Sequence, residues 1–105
     1  MALVDATEQN FDELLQGPYV VVDFYGDHCG PCAYLAPFYR EAANDMPLIR
    51  FVKINTTKYY SIAKQFDIKG VPTLKFFRNG EMVHSTTGGM NREKLNTHIA
   101  KMLYE

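Results

Sequence analysis

No tryptophan occurs among the 105 residues, and cysteine occurs only twice. The chain also lacks a surplus of either charge: 11 Lys and Arg stand against 12 Asp and Glu, for a net charge of −1. The absence of a basic run argues against nucleic acid or anionic membrane as the main partner. No apolar stretch approaches the roughly 20 residues that a membrane helix needs. The opening Met1-Ala2-Leu3-Val4-Asp5 has no basic segment followed by an apolar one, so the protein is expected in the cytoplasm. Two cysteines cannot build a multi-bridge scaffold, and a lone pair in a reducing compartment points to redox chemistry or metal binding instead of a structural staple. A chain of 105 residues can bury one core and has no room for a second, so residues 1–105 are expected to form a single domain.

Both cysteines fall in one stretch, Cys29-Gly30-Pro31-Cys32. At positions i and i+3 of a first helical turn they lie roughly 5–6 Å apart, within reach of a disulfide that can open and close with little backbone movement. Gly30 allows a tight turn into the helix, and Pro31 suits a first-turn position whose N–H has no partner. The sulfur of Cys29 then sits at a helix N-terminus, where free N–H groups and the dipole favour the nucleophilic thiolate. From Cys32, the residues Leu35, Tyr39, Ala42 and Met46 follow at steps of three and four, an apolar stripe along one face. Cys32 begins that buried stripe, whereas Cys29 stands one turn earlier at the helix mouth. Cys29 is therefore assigned as the attacking nucleophile and Cys32 as the resolving thiol. Half of a zinc site is the competing reading, with His28, His84 or His98 as further ligands. A closed site takes four ligands, and these histidines do not stand at finger-like spacing from the pair, so no metal is expected. His84 and His98 read as solvated or boundary residues without a role.

Along the chain, Leu3-Val4 suits a short strand, and Thr7 to Leu15 a helix capped by Thr7 and stopped by Gly17-Pro18. Tyr19 to Tyr25 is a continuous apolar run of the kind found in central strands covered on both faces, interrupted only by Asp23. A carboxylate there should be buried, with its pKa raised unless a cation is near. The cysteine helix extends to about Asp45. Ile49 to Asn55 forms the next strand, with Lys53 in its middle, and Tyr59 to Phe66 a short helix turning Ile62, Ala63 and Phe66 inward. Thr73 to Arg78 and Glu81 to Thr87 flank an Asn79-Gly80 hairpin turn, and Asn91 caps a last helix with Leu95, Ile99, Met102 and Leu103 facing the core. Strands alternating with helices predict an α/β fold, a mixed sheet between helices, with the cysteine turn at the carboxyl end of a central strand, where chemistry collects.

These residues, in this order, resemble the thioredoxin family: Val22-Asp23-Phe24, Cys29-Gly30-Pro31-Cys32, Ala36-Pro37, Lys53, Val71-Pro72-Thr73, Asn79-Gly80-Glu81 and Gly88. The resemblance implies a thioredoxin fold, with a central mixed five-stranded sheet flanked by four helices. It also implies dithiol–disulfide exchange by a monomeric electron carrier without cofactor, with disulfide-containing proteins as substrates and a thioredoxin reductase as partner. Pro72 taken alone would be an ordinary trans proline; the resemblance implies a cis bond before it, facing the cysteine pair. It further implies that the Val71 backbone pairs with a bound substrate strand and that Gly88 lets the partner chain approach. Tyr25, His28, Gly30 and Pro31 complete the implied docking surface. Family members commonly carry tryptophan where Tyr25 and His28 stand, a lysine at Ala33, and an acidic residue near Thr56-Thr57. Asp23 is the candidate acceptor for the Cys32 proton, directly or through water, with Lys53 tuning it; the alternative is a structural Asp23–Lys53 ion pair. Protonated His28 would favour the thiolate if it faces Cys29, and is otherwise a tolerated surface residue. A binding module without turnover is the alternative to an enzyme.

Overall fold

Strand β2 (Tyr19–Tyr25) needs cover on both sides, because Val20, Val21, Val22 and Phe24 expose no surface at all. The computed structural model describes residues 3–105 and supplies that cover with five strands and four helices: β1 (Leu3–Asp5), α1 (Phe11–Leu14), β2, α2 (Gly30–Asp45), β3 (Arg50–Asn55), α3 (Tyr60–Gln65), β4 (Thr73–Arg78), β5 (Glu81–Thr87) and α4 (Arg92–Tyr104). The sheet order is β1-β3-β2-β4-β5, with β2 at the centre. β1, β3 and β2 run parallel, whereas β4 and β5 are antiparallel to their neighbours, so the sheet is mixed as expected.

Alternation along β2 divides the core. Val21 packs with Leu35, Tyr39 and Ala42 of α2 and Leu95, Ile99 and Met102 of α4. Val20, Val22 and Phe24 pack on the other face with Phe11, Leu15 and Ile62. Each fully buried large side chain contributes roughly 1.5–3 kcal/mol by leaving water. Helix α2 is also tied to the sheet by a polar contact. The Tyr39 hydroxyl lies 3.0 Å from the Val21 carbonyl oxygen and 2.7 Å from that of Val52, and donates its proton between β2 and β3.

The first helix is shorter than the span Thr7 to Leu15 expected from sequence. Thr7 does accept from backbone N–H groups, at 3.2 Å from Gln9 and 3.4 Å from Asn10, but Asn10 Oδ1 accepts in turn from the Thr7 N–H at 2.7 Å. These reciprocal bonds close a turn, so helical structure begins only at Phe11. Other boundaries move by a residue. Ile49 lies in a turn, its N–H bonded to the Met46 carbonyl, and Phe66 follows α3 only half-buried, its ring packed against Phe11 and Phe24. Met46 and Leu103 are likewise partly buried at the rim of the core. The Asn79-Gly80 turn takes positive φ at both residues, 52° and 83°, as a tight hairpin requires.

Tyr39→Phe keeps the ring packing and removes only the shared hydrogen bond, so it should lower stability by about 1–2 kcal/mol. Urea unfolding should show a lower midpoint with an unchanged slope. An unchanged midpoint would mean that packing alone holds α2 against the strands.

Candidate active site

The chain leaves β2 at Tyr25 and enters α2 at Gly30, and Gly26, Asp27 and His28, ahead of the N-cap Cys29, set where the cysteines stand. Thr56, just after β3, bonds the Tyr25 carbonyl oxygen with both its N–H, at 2.7 Å, and its hydroxyl, at 2.8 Å. The Asp27 N–H donates to Thr57 Oγ1 at 3.0 Å, and Asn55 Nδ2 donates to Asp27 Oδ1 at 3.0 Å. The sequence marks Thr56-Thr57 only as a departure from the family, and Asn55 not at all; folded, they hold the connection that leads into the cysteine turn. His28 completes it at φ 52°, a left-handed conformation that turns the chain into the helix.

Cys29 is the N-cap of α2, and its sulfur accepts the N–H of Cys32 at 3.1 Å. The two sulfurs form a disulfide, with Cα atoms 5.2 Å apart. Cys32 is 7% exposed and belongs to the buried stripe, whereas Cys29 is only half-buried. The Val71–Pro72 bond is cis, as the resemblance implies, and the Val71 carbonyl oxygen lies 3.7 Å from Cys29 Sγ. Gly88, at φ 107°, has open space where a Cβ would stand, and its N–H bonds the Pro72 carbonyl at 2.8 Å. The next residue is the tighter one. A Cβ on Gly89 would come within 2.9 Å of the Pro31 carbonyl oxygen, so this glycine lets the last loop seat against the cysteine turn. Nothing in the sequence alone distinguishes Gly89 from Gly88 in this respect.

Beneath the turn an open cleft of about 420 Å³ is walled by Asp23, Tyr25, His28, Cys29, Cys32 and Lys53, among others. Asp23 is 4% exposed, and its Oδ1 has no hydrogen-bond partner among the described residues. Burial raises its pKa to about 7, against the pull of the Lys53 charge. Sheet register explains that pull, because Asp5, Lys53 and Asp23 are aligned across β1, β3 and β2. The ammonium of Lys53 lies 3.9 Å from Asp5 Oδ2 and 5.4 Å from the centre of the Tyr25 ring. The ion pair that forms is thus with Asp5 at the rim, and Asp23 feels Lys53 only at longer range. Burial first, then the carboxylates of Asp5, Asp23 and Asp27, raise the pKa of Tyr25. His28 is exposed at the cleft edge, Gly30 and Pro31 are exposed on the helix mouth, and Pro72 is buried. His84 and His98 stand outside the cleft lining and bond each other.

The sequence profile of the family described as Thioredoxin matches residues 2–101. Over 104 residues the chain is 36% identical to a thioredoxin of Staphylococcus saprophyticus, covering 98% of this chain and 100% of that one. It is 39% identical over 100 residues to thioredoxin Y, chloroplastic, of Oryza sativa, covering 92% of this chain but 60% of the rice protein. Among solved structures, the poplar thioredoxin h superposes with a TM-score of 0.89 at 27% identity, covering 100% of this chain and 99% of that one.

Asp23 gives stability an unusual pH dependence. The folded carboxyl keeps its proton to about pH 7, whereas unfolded it would lose it near 3.8. Between these values the folded state binds more protons, so Asp23 costs stability increasingly as pH rises, and the cost is full above about pH 7. Asp23→Asn should therefore match wild type near pH 4 and exceed it by on the order of 2–4 kcal/mol at pH 8 in denaturant melts of the oxidised forms. A variant less stable than wild type at pH 8 would mean that the charged carboxylate is held by compensating contacts.

Proposed function

The chain belongs to the thioredoxin family, and from that premise we propose that it reduces protein disulfides with Cys29 as the attacking thiolate, Cys32 as the resolving thiol and Asp23 as the acceptor of the Cys32 proton. The protein is a thiol–disulfide oxidoreductase with a redox-active cysteine pair. The observation that carries the division of labour is the sulfur cap. Cys29 Sγ takes the Cys32 N–H at the start of α2, and Cys29 is the more exposed residue, while Cys32 is buried. A thiol of pKa about 8.5 is a few per cent thiolate at pH 7, whereas one lowered to about 7 is half ionised and still a good nucleophile.

In the reduced protein, Cys29 attacks one sulfur of the substrate disulfide, whose other sulfur leaves as a thiolate. Cys32 gives its proton to Asp23, directly or through cleft water, and attacks Cys29 Sγ. That forms the Cys29–Cys32 disulfide and releases the second substrate thiolate. Two electrons pass to the substrate. A carboxyl of pKa about 7 is half ionised at neutral pH and can take that proton, and Lys53 keeps it from rising further. Val71 and Pro72 would receive the substrate backbone beside Cys29, with Gly88 leaving room for it and Tyr25, His28, Gly30 and Pro31 around the mouth. The glycine-proline spacer supports a reducing role, since thioredoxins work near about −270 mV and isomerases near about −180 mV.

Recharging falls in this reading to a thioredoxin reductase, and the protein works as a single-domain monomer in the cytoplasm. A lone C-x-x-C pair in a chain without other cysteines supports a reducing compartment. No helix among the described residues is long and apolar enough to cross a membrane.

Insulin reduction with dithiothreitol measures turnover. Cys29→Ser should abolish it, and Cys32→Ser should stop it while trapping substrate as a mixed disulfide. Limiting iodoacetamide should label Cys29 first in the reduced wild type; prior labelling of Cys32 would reverse the roles.

A further inference from the structure

The edge strand and the last helix bring together two imidazoles that the exchange reaction does not use. His84 lies on β5 opposite Phe76, at a register irregularity that places Met82 opposite Phe77 and leaves Val83 between them. That irregularity turns His84 toward the α4 side of the sheet, over the Phe76 ring, whose centre is 5.2 Å away. There His84 Nε2 comes within 2.8 Å of Nδ1 of His98 on α4. The rings are nearly coplanar, 22° apart with centres at 5.0 Å, so one ring N–H points at the lone pair of the other. Both residues are half-buried.

Two neutral imidazoles presenting adjacent nitrogens are a chelating pair for borderline metal ions. A metal–imidazole distance of about 2.0–2.1 Å and a right-angle bite place two ligand nitrogens about 2.9 Å apart, close to the spacing found here. Burial lowers both histidines from their ordinary pKa; Lys101 adds to this at His84, and at His98 the charge of His84 comes next after burial, followed by Lys101 and Lys94, which favours the neutral rings. Glu105 opposes this at His84. Among the described residues no third His, Cys, Asp or Glu joins the pair, so water must fill the other positions.

We propose that His84 and His98 form a two-imidazole site for a divalent transition ion of square or octahedral preference, such as Ni²⁺ or Cu²⁺, bridging β5 to α4. On binding, the donor ring moves its proton to its outer nitrogen, and both rings turn so that their lone pairs converge beside the present hydrogen bond. No net proton is released. The lysines weigh against a cation, and they set the site at modest affinity.

The test is calorimetric titration of the untagged, oxidised protein with NiCl₂ at pH 7.5, where the closed disulfide keeps the cysteine sulfurs from competing. One Ni²⁺ should bind per chain, and binding should weaken at least tenfold in His84→Gln and in His98→Gln. Both variants, once reduced, should retain wild-type insulin reduction, which shows that they are folded. His28→Gln should leave Ni²⁺ binding unchanged. Saturating Ni²⁺ should raise the thermal midpoint of wild type and of neither pair variant. No binding to wild type, binding retained in both pair variants, or binding lost in His28→Gln would each overturn the proposal.

Discussion

Helix α2 has to start close to the end of strand β2, and the free N–H of its third residue, Cys32, has to find an acceptor there. A sulfur takes that place. Because Cys29 caps α2 through the N–H of Cys32 in its first turn, the bond orienting the helix is also the bond that favours a thiolate once the disulfide opens. Backbone geometry and reactivity therefore share one contact. The rest of the architecture holds that contact still: β2 is buried on both faces, and the Tyr39 hydroxyl ties α2 down to β2 and β3.

Below the cap, a row of charges crosses the parallel half of the sheet. Asp5, Lys53 and Asp23 share one register, running from the rim to the buried centre. The rim carboxylate takes the close contact with the ammonium, at 3.9 Å, and leaves the buried one without a paired cation. Desolvation then dominates at Asp23, and its pKa rises to about 7. A direct Asp23–Lys53 pair would instead hold Asp23 ionised, unable to alternate between protonated and charged forms near neutrality. The unsatisfied Oδ1 is thus a stability cost placed beside the cysteines.

The chain shows how the same site stands without tryptophan. The connection that leads to the nucleophile is polar, held by Asn55, Thr56 and Thr57 through backbone and carboxylate contacts. Exposed His28 stands at the edge of the cleft that the cysteines line, so the mouth carries an imidazole.

Most of the fold was legible in the linear order of residues, because its signals are local. The apolar run of β2, the Asn79-Gly80 turn and the Asn91 cap each act within a few positions, as does the three-and-four spacing from Cys32 to Ala42. The cysteine pair likewise announced its chemistry, since two thiols at i and i+3 meet in any helix that begins there. Helix α1 starts later than its sequence suggests because Thr7 and Asn10 both offer side-chain oxygens, and local sequence does not say which bond closes first. What only the tertiary structure decided depends on strand register and chain return. Lys53 chooses Asp5 over Asp23, Gly89 abuts Pro31 from 58 positions away, and His84 meets His98 across a sheet irregularity. Each is a contact between residues that no local rule links, and a shift of one residue in pairing would turn those side chains to opposite faces.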